Sequence, residues 1–225
     1  MIRPTLSSTL WIMACLDVLE LTDNTLLVFS SDNGGLGGYD DTPQDVAKEV
    51  STDNAPLRGG KGTLYEGGLR VPFLARWPGV IPAGTVCDRA LAHVDFFPTC
   101  ADLAGLALPS SQACDGTSFL PLLRDPASAW DRAAIYWHFP GYLESYVRRT
   151  GWRTTPVGVI HAGDFKLLEF FEDERVELYD VHHDIGETTN LAARRPDKAA
   201  ELQAALARWR AEINAPMPTR KIADR

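Results

Sequence analysis

The sequence lacks several features that would each point to a common class of protein. Its four cysteines, at positions 15, 87, 100 and 114, form no C-x-x-C pair, which argues against a structural zinc site. It has 22 Lys and Arg against 30 Asp and Glu, for a net charge of −8. Nucleic-acid binding requires clustered Lys and Arg, so we expect no nucleic-acid partner. No stretch is long and apolar enough to span a bilayer.

The order of sequence patterns predicts an α/β fold. Ile12, Leu16 and Leu19 fall at helical spacing before the first apolar strand. "HVDFFPTCADLAG" predicts a helix with Asp95 at its N-cap, and "AIYWHF" predicts a further strand. We therefore expect an α/β part over residues 1–140, with a smaller subdomain over residues 141–225.

The smaller subdomain is predicted to be an antiparallel meander closed by a helix. Two hairpin turns, "AGD" and "EDE", separate three runs of β-type residues: Val157–His161, Phe165–Phe171 and Arg175–Asp180. "RPDKAAELQAALARWRAEI" then predicts an amphipathic helix with Leu202, Leu206 and Trp209 on one face.

One apolar strand ends on two oxygen-bearing side chains. "LLVFSSDNGG" predicts a central strand over Thr25 to Ser31, covered on both faces, that runs directly into Asp32 and Asn33. A carboxylate and an amide oxygen are hard ligands that suit Ca²⁺ or Mg²⁺, and ligand sites in α/β sheets lie at the carboxyl ends of strands. Asp-Asn-Gly is also common turn chemistry, and taken alone the motif favours a turn.

A glycine-rich loop follows and carries one lysine. "NAPLRGGKGTLYEGGLRVP" places Lys61 between glycine pairs, where little side-chain bulk would keep an anion from the ammonium group. Lys acts as a point charge on phosphate or sulfate oxygens. The loop therefore favours an anion site, and Glu66 and Arg70 are expected to brace it.

Taken together, the motifs resemble the sulfatase family of the alkaline phosphatase superfamily. The similar stretches are "TLLVFSSDNGG", "PLRGGKGTLYEGGLRVPFLARWPG", "HVDFFPTCADLAG", "DGTSFLPLL" and "GDFKLLEFFEDERVELYDVHHDIGETTNLA". The resemblance covers roughly residues 17 to 214. It implies the carboxyl half of an alkaline phosphatase-like α/β/α sandwich, followed by a small antiparallel sheet with a helix.

The resemblance also implies a reaction and the residues that serve it. Sulfatases hydrolyse a sulfate ester, on a small molecule or a glycan, to an alcohol or phenol plus sulfate. Asp32 and Asn33 match a pair of calcium ligands of the family, and Lys61 matches the lysine that contacts the sulfate group. A periplasmic or secreted location is implied for the full-length parent, although this chain carries no clear signal peptide.

The family's nucleophile motif is missing from the sequence. Sulfatases use a formylglycine made in a C-x-P-x-R or S-x-P-x-R motif, and no Cys or Ser here begins such a motif. The formylglycine would be supplied by a missing N-terminal part, which is then an expected partner of this chain. We therefore expect the isolated chain to be inactive, because its catalytic site has no nucleophile.

His138 and three rival interpretations remain open. His138, in "YWHFPGY", is interpreted with even weight as a packed core residue or as a substrate-side contact. A related phosphodiesterase or phosphonate hydrolase would share the metal site. A non-catalytic remnant would bind a sulfated glycan or a partner chain. A truncated or frameshifted gene model is the third alternative, because residues 1–16 do not resemble the family.

Overall fold

The computed structural model describes residues 3–37, 52–109, 111, 113–144 and 152–219. The α-helices in this part of the chain are α1 (Arg3–Val18), α2 (Glu66–Leu69), α3 (Phe96–Leu103), α4 (Leu120–Arg124) and α5 (Pro196–Glu212). The strands are β1 (Leu27–Ser30), β2 (Phe73–Arg76), β3 (Ile135–Phe139), β4 (Leu143–Glu144), β5 (Trp152–Thr154), β6 (Val157–Ala162), β7 (Phe165–Phe170) and β8 (Val176–Asp180). None of the helices in the described ranges has the length and apolar character needed to cross a bilayer. All four cysteines are free.

The chain divides into two compact units, each discontinuous in sequence. The first unit comprises Met1–Ser30 and Pro72–Arg132, and the second comprises Ser31–Val71 and Ala133–Arg225. The glycine-rich loop therefore belongs to the same unit as the meander, since folding brings them together across more than 60 residues of sequence. The division of the chain into domains at residue 140 stays a prediction.

The first unit contains a two-stranded antiparallel sheet with one covered face. β1 pairs with β2 in a register that places Phe29 opposite Leu74. Both of these side chains are exposed, Phe29 by 37% and Leu74 by 65%. Phe73 and Ala75 alternate with Leu74 and pack on the apolar cluster around Phe119. The expectation that this strand is covered on both faces is therefore wrong for the described part of the chain, in which only one face of the β1–β2 pair has a partner layer.

The covered face of that sheet packs on aromatic and aliphatic side chains. Phe119 meets Phe73 and Phe96 edge-on, at ring-centroid distances of 5.7 and 5.5 Å. Edge-to-face geometry is favourable because the positive ring edge meets the negative ring face. Phe96 is the first residue of α3, which the sequence predicted, and Phe119 immediately precedes α4.

Asp95 occupies the predicted N-cap position of α3 but makes different bonds. Its carboxylate shows no capping bond to the helix. Instead it accepts from the backbone N–H groups of Ala92 (2.7 Å) and Thr117 (2.9 Å) and pairs with the Arg132 guanidinium. Asp95 is fully buried, so these bonds replace the water that the charged group has lost.

The second unit is built on a four-stranded antiparallel sheet in the order β3-β6-β7-β8. The meander β6-β7-β8 agrees with its predicted strands. β3 was predicted as a strand of the α/β part, yet it pairs with β6 as the edge strand of this sheet. The two strands pair with Trp137 opposite Val159, although β4 and β5 lie between them in the sequence and pair with each other.

The two faces of this sheet have different covers. On one face, Ile160, Leu167 and Leu178 pack against Leu202 and Leu206 of α5. The other face carries a second set of buried side chains (Val157, Val159, Leu168, Phe170 and Tyr179), against which Leu64 and Tyr65 of the glycine-rich loop pack. Alternating side chains along each strand thus serve two layers. The glycine-rich loop that carries Lys61 therefore packs on this second face of the sheet.

Candidate functional site

Backbone hydrogen bonds bring the Asp32–Asn33 segment and the Lys61 loop together. The N–H of Gly34 donates to the carbonyl of Gly68 at 3.0 Å, and the N–H of Lys61 donates to the carbonyl of Gly35 at 2.8 Å. At Gly34, a Cβ atom would lie 1.7 Å from the Gly67 carbonyl oxygen, so only glycine fits there. The glycines thus permit a backbone approach that side chains would block.

The side-chain amide of Asn54 reinforces this junction. Its Nδ2 group donates to the carbonyl oxygens of Gly35 (3.0 Å), Gly37 (2.7 Å) and Gly59 (3.1 Å). The Gly35 and Gly37 carbonyls belong to the Asp32 segment, and Gly59 belongs to the Lys61 loop. One side chain therefore holds both segments in a fixed register, which the sequence motifs alone did not predict.

Asp32 and Asn33 lie two and three residues after the end of β1. The Asp32 side chain is exposed and Asn33 is half-buried, and the Ser31 hydroxyl donates to the Asn33 carbonyl at 3.0 Å. Their two side-chain oxygens are a partial donor set for a cation that takes six to eight oxygen ligands. Within the described residues, no three His, Cys, Asp or Glu side chains gather where they could hold a metal ion.

Lys61 is half-buried in a turn that strand β5 supports from the side. Arg153 donates from Nη1 to the Lys61 carbonyl oxygen at 2.8 Å, and the Thr154 hydroxyl donates to the Gly62 carbonyl. These two contacts span 92 residues of sequence, so no local pattern signals them. Strand β5 therefore helps to position the loop, and both residues were missed by sequence reasoning.

A buried ionic cluster anchors the loop to the sheet at α2. The Lys166 ammonium lies 2.8 Å from Glu66 Oε1 and 2.9 Å from Glu187 Oε1. Glu187 Oε2 also accepts from the backbone N–H of Glu66 at 2.7 Å. Lys166 and Glu187 are almost completely buried. Two carboxylates therefore share one ammonium inside the protein. The more exposed Arg70 guanidinium lies 3.4 Å from the other oxygen of Glu66.

The pKa values of the two carboxylates in this cluster are shifted in opposite directions. Burial alone would raise the pKa of Glu66, but the charge and hydrogen bond of Lys166, together with the charges of His161 and Arg70, hold that pKa below the ordinary value. Burial dominates at Glu187 and raises its pKa despite the same ammonium. Burial also lowers the pKa of the nearby His161, which favours its neutral form. The predicted bracing role of Glu66 and Arg70 is present, with Lys166 as its main charge.

A second cluster fixes the loop before Lys61. Glu177 Oε2 accepts from the hydroxyls of Tyr65 (2.8 Å) and Tyr179 (2.9 Å). Arg58 donates to Tyr179 at 2.9 Å and lies 3.9 Å from the ring centroid of Tyr65. Burial and the Glu177 carboxylate raise the pKa of both tyrosines, so both stay protonated donors at neutral pH.

His138 lies away from these groups. In β3 it is opposite Gly158, whose missing Cβ would meet Leu206 and Arg210 of α5. His138 Nε2 contacts the Pro216 carbonyl at 2.8 Å, and its Nδ1 is buried without a hydrogen-bond partner among the described residues. His138 is thus on the α5 face of the sheet, opposite the face that the glycine-rich loop covers. Its role as a substrate contact stays a prediction.

The fold and the loop define the class of protein. A solved structure described as a complex with its substrate D-glucosamine-2-N,6-O-disulfate matches 94% of this chain and 39% of that chain, with a TM-score of 0.68 at 27% identity. The structure of Ps i-CgsB matches 88% of this chain and 39% of its own length, with a TM-score of 0.70 at 27% identity. The architecture is that of the alkaline phosphatase-like sulfatases.

Family comparisons give the more specific assignment. The family described as N-sulphoglucosamine sulphohydrolase, C-terminal, matches residues 60–214, and the Sulfatase family matches residues 12–106. A sulfatase of Formosa agariphila is 39% identical over 87% of this chain and 34% of its own length. An N-acetylgalactosamine-6-O-sulfatase of Bacteroides thetaiotaomicron is 32% identical over 85% of this chain and 37% of its own length. The chain belongs to the sulfatase family and spans about a third of the length of these relatives.

Proposed function

We propose that this chain is the part of a sulfuric ester hydrolase that binds the sulfate group of a sulfated carbohydrate. The observation that carries the proposal is the junction of the two loops, in which Lys61 N–H bonds to Gly35 and Gly34 N–H bonds to Gly68. That junction holds two oxygen ligands and one ammonium group on neighbouring, tightly bonded segments. The family membership and the substrates named for two relatives support the same reaction.

Lys61 has the chemistry that sulfate binding requires. Its ammonium is a compact positive charge, and the glycines around it leave room for a tetrahedral anion. In sulfate-ester cleavage, negative charge grows on the leaving oxygen, and a fixed cation stabilises that charge more than it stabilises the ester. Strand β5 and the Glu66–Lys166 pair would keep the loop that carries Lys61 in place during the reaction.

Asp32 and Asn33 would hold a calcium ion together with ligands from outside this chain. Carboxylate and amide oxygens are ligands that Ca²⁺ takes, and Asp32 and Asn33 are adjacent residues just after β1. The bound ion would supply positive charge that offsets the charge of the sulfate group. A formylglycine nucleophile belongs to the same proposal and would come from the remaining part of the parent protein.

The exposed face of the two-stranded sheet supports a partner for this chain. Phe29 and Leu74 form an exposed apolar pair on the outer face of β1 and β2, and edge strands of such sheets tend to recruit further chain. The remaining part of the parent enzyme would cover this face and complete the catalytic site. An exported location of the full-length parent is a further part of the proposal, since sulfated glycans are largely extracellular.

Binding of inorganic sulfate to the chain tests the role of Lys61. We expect weak sulfate binding by calorimetry, strengthened by Ca²⁺ and reduced about tenfold by Lys61→Ala, which removes one charge-assisted contact. Lys198→Ala, on α5, is the matched control and is expected to change nothing. Equal sulfate affinity in the Lys61 and Lys198 variants would reject the assignment.

An activity assay separates the enzyme from a binding remnant. Because no C-x-P-x-R or S-x-P-x-R motif is present, we expect the isolated chain to show no turnover of an aryl sulfate in calcium buffer. Turnover that Lys61→Ala abolishes would contradict that expectation. The absence of this motif also favours a second candidate function, in which the chain binds a sulfated glycan without cleaving it.

A further inference from the structure

A small pocket in the second unit opens beside the loop that carries Lys61. It has a volume of about 220 Å³. Its walls come from the glycine-rich loop, from β5 and from the meander, with Thr63, Tyr65, Trp152, Arg153, Phe170 and Arg175 among the lining residues. Pockets for drug-sized ligands measure about 300–1,000 Å³, so this one suits a single ring-sized group.

The charges that line the pocket are positive. Arg153 and Arg175 contribute guanidinium groups, and no carboxylate is among the described residues that line it. This is unusual in a chain that has eight more acidic than basic residues. Arg175 stacks on Phe170 at 3.9 Å and pairs with both Glu177 (3.3 Å) and Asp173 (3.7 Å), which offsets its charge, so Arg153 supplies the main positive charge of the lining. The pocket therefore favours an anionic group, and guanidinium groups match the oxygens of sulfate or carboxylate.

The rim of the pocket is aromatic and open to solvent. Trp152 is 56% exposed and lies beside Tyr142, which is 45% exposed, with the two ring centroids 4.9 Å apart. Tryptophan and tyrosine combine an apolar face with a polar edge, which suits ligands that are partly apolar and partly wet. A sugar ring has such a surface, because its C–H groups form apolar patches between hydroxyls.

The pocket shares a wall with the proposed sulfate site. Thr63 lines the pocket two residues after Lys61, and Arg153 bonds directly to the Lys61 carbonyl oxygen. We propose that the pocket is a glycan subsite that binds one sulfated sugar ring, next to the ring whose sulfate Lys61 contacts. This inference rests on the proposed function and extends it to a sulfated oligosaccharide as the ligand.

Oligosaccharide binding to the intact chain tests the subsite. The probes are a chondroitin 6-sulfate hexasaccharide, its desulfated counterpart and inorganic sulfate, each titrated by calorimetry at low salt. We expect the sulfated hexasaccharide to bind at least tenfold more tightly than the desulfated one. Trp152→Ala and Arg153→Gln should each weaken hexasaccharide binding about tenfold, since each removes one contact worth roughly that factor.

Matched variants keep the test specific. Trp11→Ala and Arg89→Gln change an exposed tryptophan and an exposed arginine in the first unit and should leave binding unchanged. Trp152→Phe should restore most of the affinity, because it keeps an aromatic face. Thermal melting of each variant verifies that the fold is retained.

Two outcomes would overturn the subsite. The first is no binding of the sulfated hexasaccharide by the folded wild-type chain, and the second is equal hexasaccharide affinity in wild type, Trp152→Ala and Arg153→Gln. The inorganic sulfate titration keeps the proposed function separate. Loss of sulfate affinity on Lys61→Ala, with unchanged hexasaccharide affinity on Trp152→Ala, would reject the subsite and retain the sulfate site.

Discussion

The sheet of the second unit and the sheet of the first unit differ in how much of each is covered. The four-stranded sheet packs against α5 on one face and the glycine-rich loop on the other, and residues such as Leu167 and Leu178 are completely buried. The two-stranded sheet leaves Phe29 and Leu74 exposed on its outer face. The comparison teaches that the described residues of the second unit cover both faces of its sheet, whereas the sheet of the first unit has an exposed apolar outer face.

Disrupting the buried ionic cluster of the second unit is expected to cause the largest loss of stability. Lys166→Met leaves the Glu66 and Glu187 carboxylates buried without their ammonium partner, which should lower the free energy of unfolding by about 3–5 kcal/mol. Urea denaturation measures the change. The control is Lys198→Met, which breaks a pair with Glu201 at the surface and should cost about 0–1 kcal/mol. Similar costs for the two variants would show that the cluster does not support the second unit.

The same leucine-to-alanine change in each sheet compares the two units directly. Leu206→Ala removes a fully buried side chain that packs on the four-stranded sheet and should cost about 2–5 kcal/mol. Leu74→Ala alters a side chain that is 65% exposed and should change stability by less than about 0.5 kcal/mol. Urea titrations of both variants provide the comparison. A large cost for Leu74→Ala would mean that the outer face of β1 and β2 is covered in the isolated chain.

Acid titration addresses how Glu66 stabilises the second unit. The pKa of Glu66 is lower in the folded protein than in the unfolded chain, so its stabilising contribution is present above the unfolded value of about 4.5. That contribution is lost as the pH falls through the folded pKa. We therefore expect the melting temperature of the wild type to fall more steeply below about pH 4.5 than that of Glu66→Gln. Parallel melting curves for the two proteins would contradict the pKa shift.

The exposed face of the first unit is expected to affect association of the chain. Replacing Phe29 and Leu74 with serine should reduce self-association of the isolated chain, because it removes a paired apolar patch. Sedimentation velocity measures the effect. Val86→Ser changes another exposed residue of the same unit and is the control. Equal aggregation in all three proteins would remove the argument that this face binds a partner.

Local sequence patterns predicted the elements that local chemistry determines. The strands of the meander, the helix α5 and the apolar face of Leu202 and Leu206 all follow from side-chain periodicity. The positions of Asp32 and Asn33 just after a strand, and of Lys61 in a glycine-rich loop, also follow from local patterns. These features depend on residues near one another in sequence, which is why they could be predicted, whereas the backbone bonds that join the two segments were not.

The contacts that escaped prediction join residues far apart in sequence. Lys166 and Glu66 are 100 residues apart, and in the string "FKLLEF" the lysine has the alternating position of a solvent-facing residue. Only the fold reveals that α2 and Glu187 cover it. Asp95 is a similar case, because its sequence context predicts a helix cap while its ion pair with Arg132 depends on a residue 37 positions away. The pairing of β3 with β6 was likewise not predicted, since the sequence of one strand does not specify its pairing partner.

The most direct test of the central claim is a graft of this chain into a relative. The segment of the Formosa agariphila sulfatase that aligns with this chain would be replaced by the corresponding residues, and hydrolysis of a sulfated sugar by the folded graft would be measured. We predict turnover in the graft and a loss of at least about a thousandfold on Lys61→Ala, which corresponds to about 4 kcal/mol of transition-state stabilisation. Full turnover in the folded Lys61→Ala graft would contradict the account, because it would show that Lys61 does not bind the reacting sulfate.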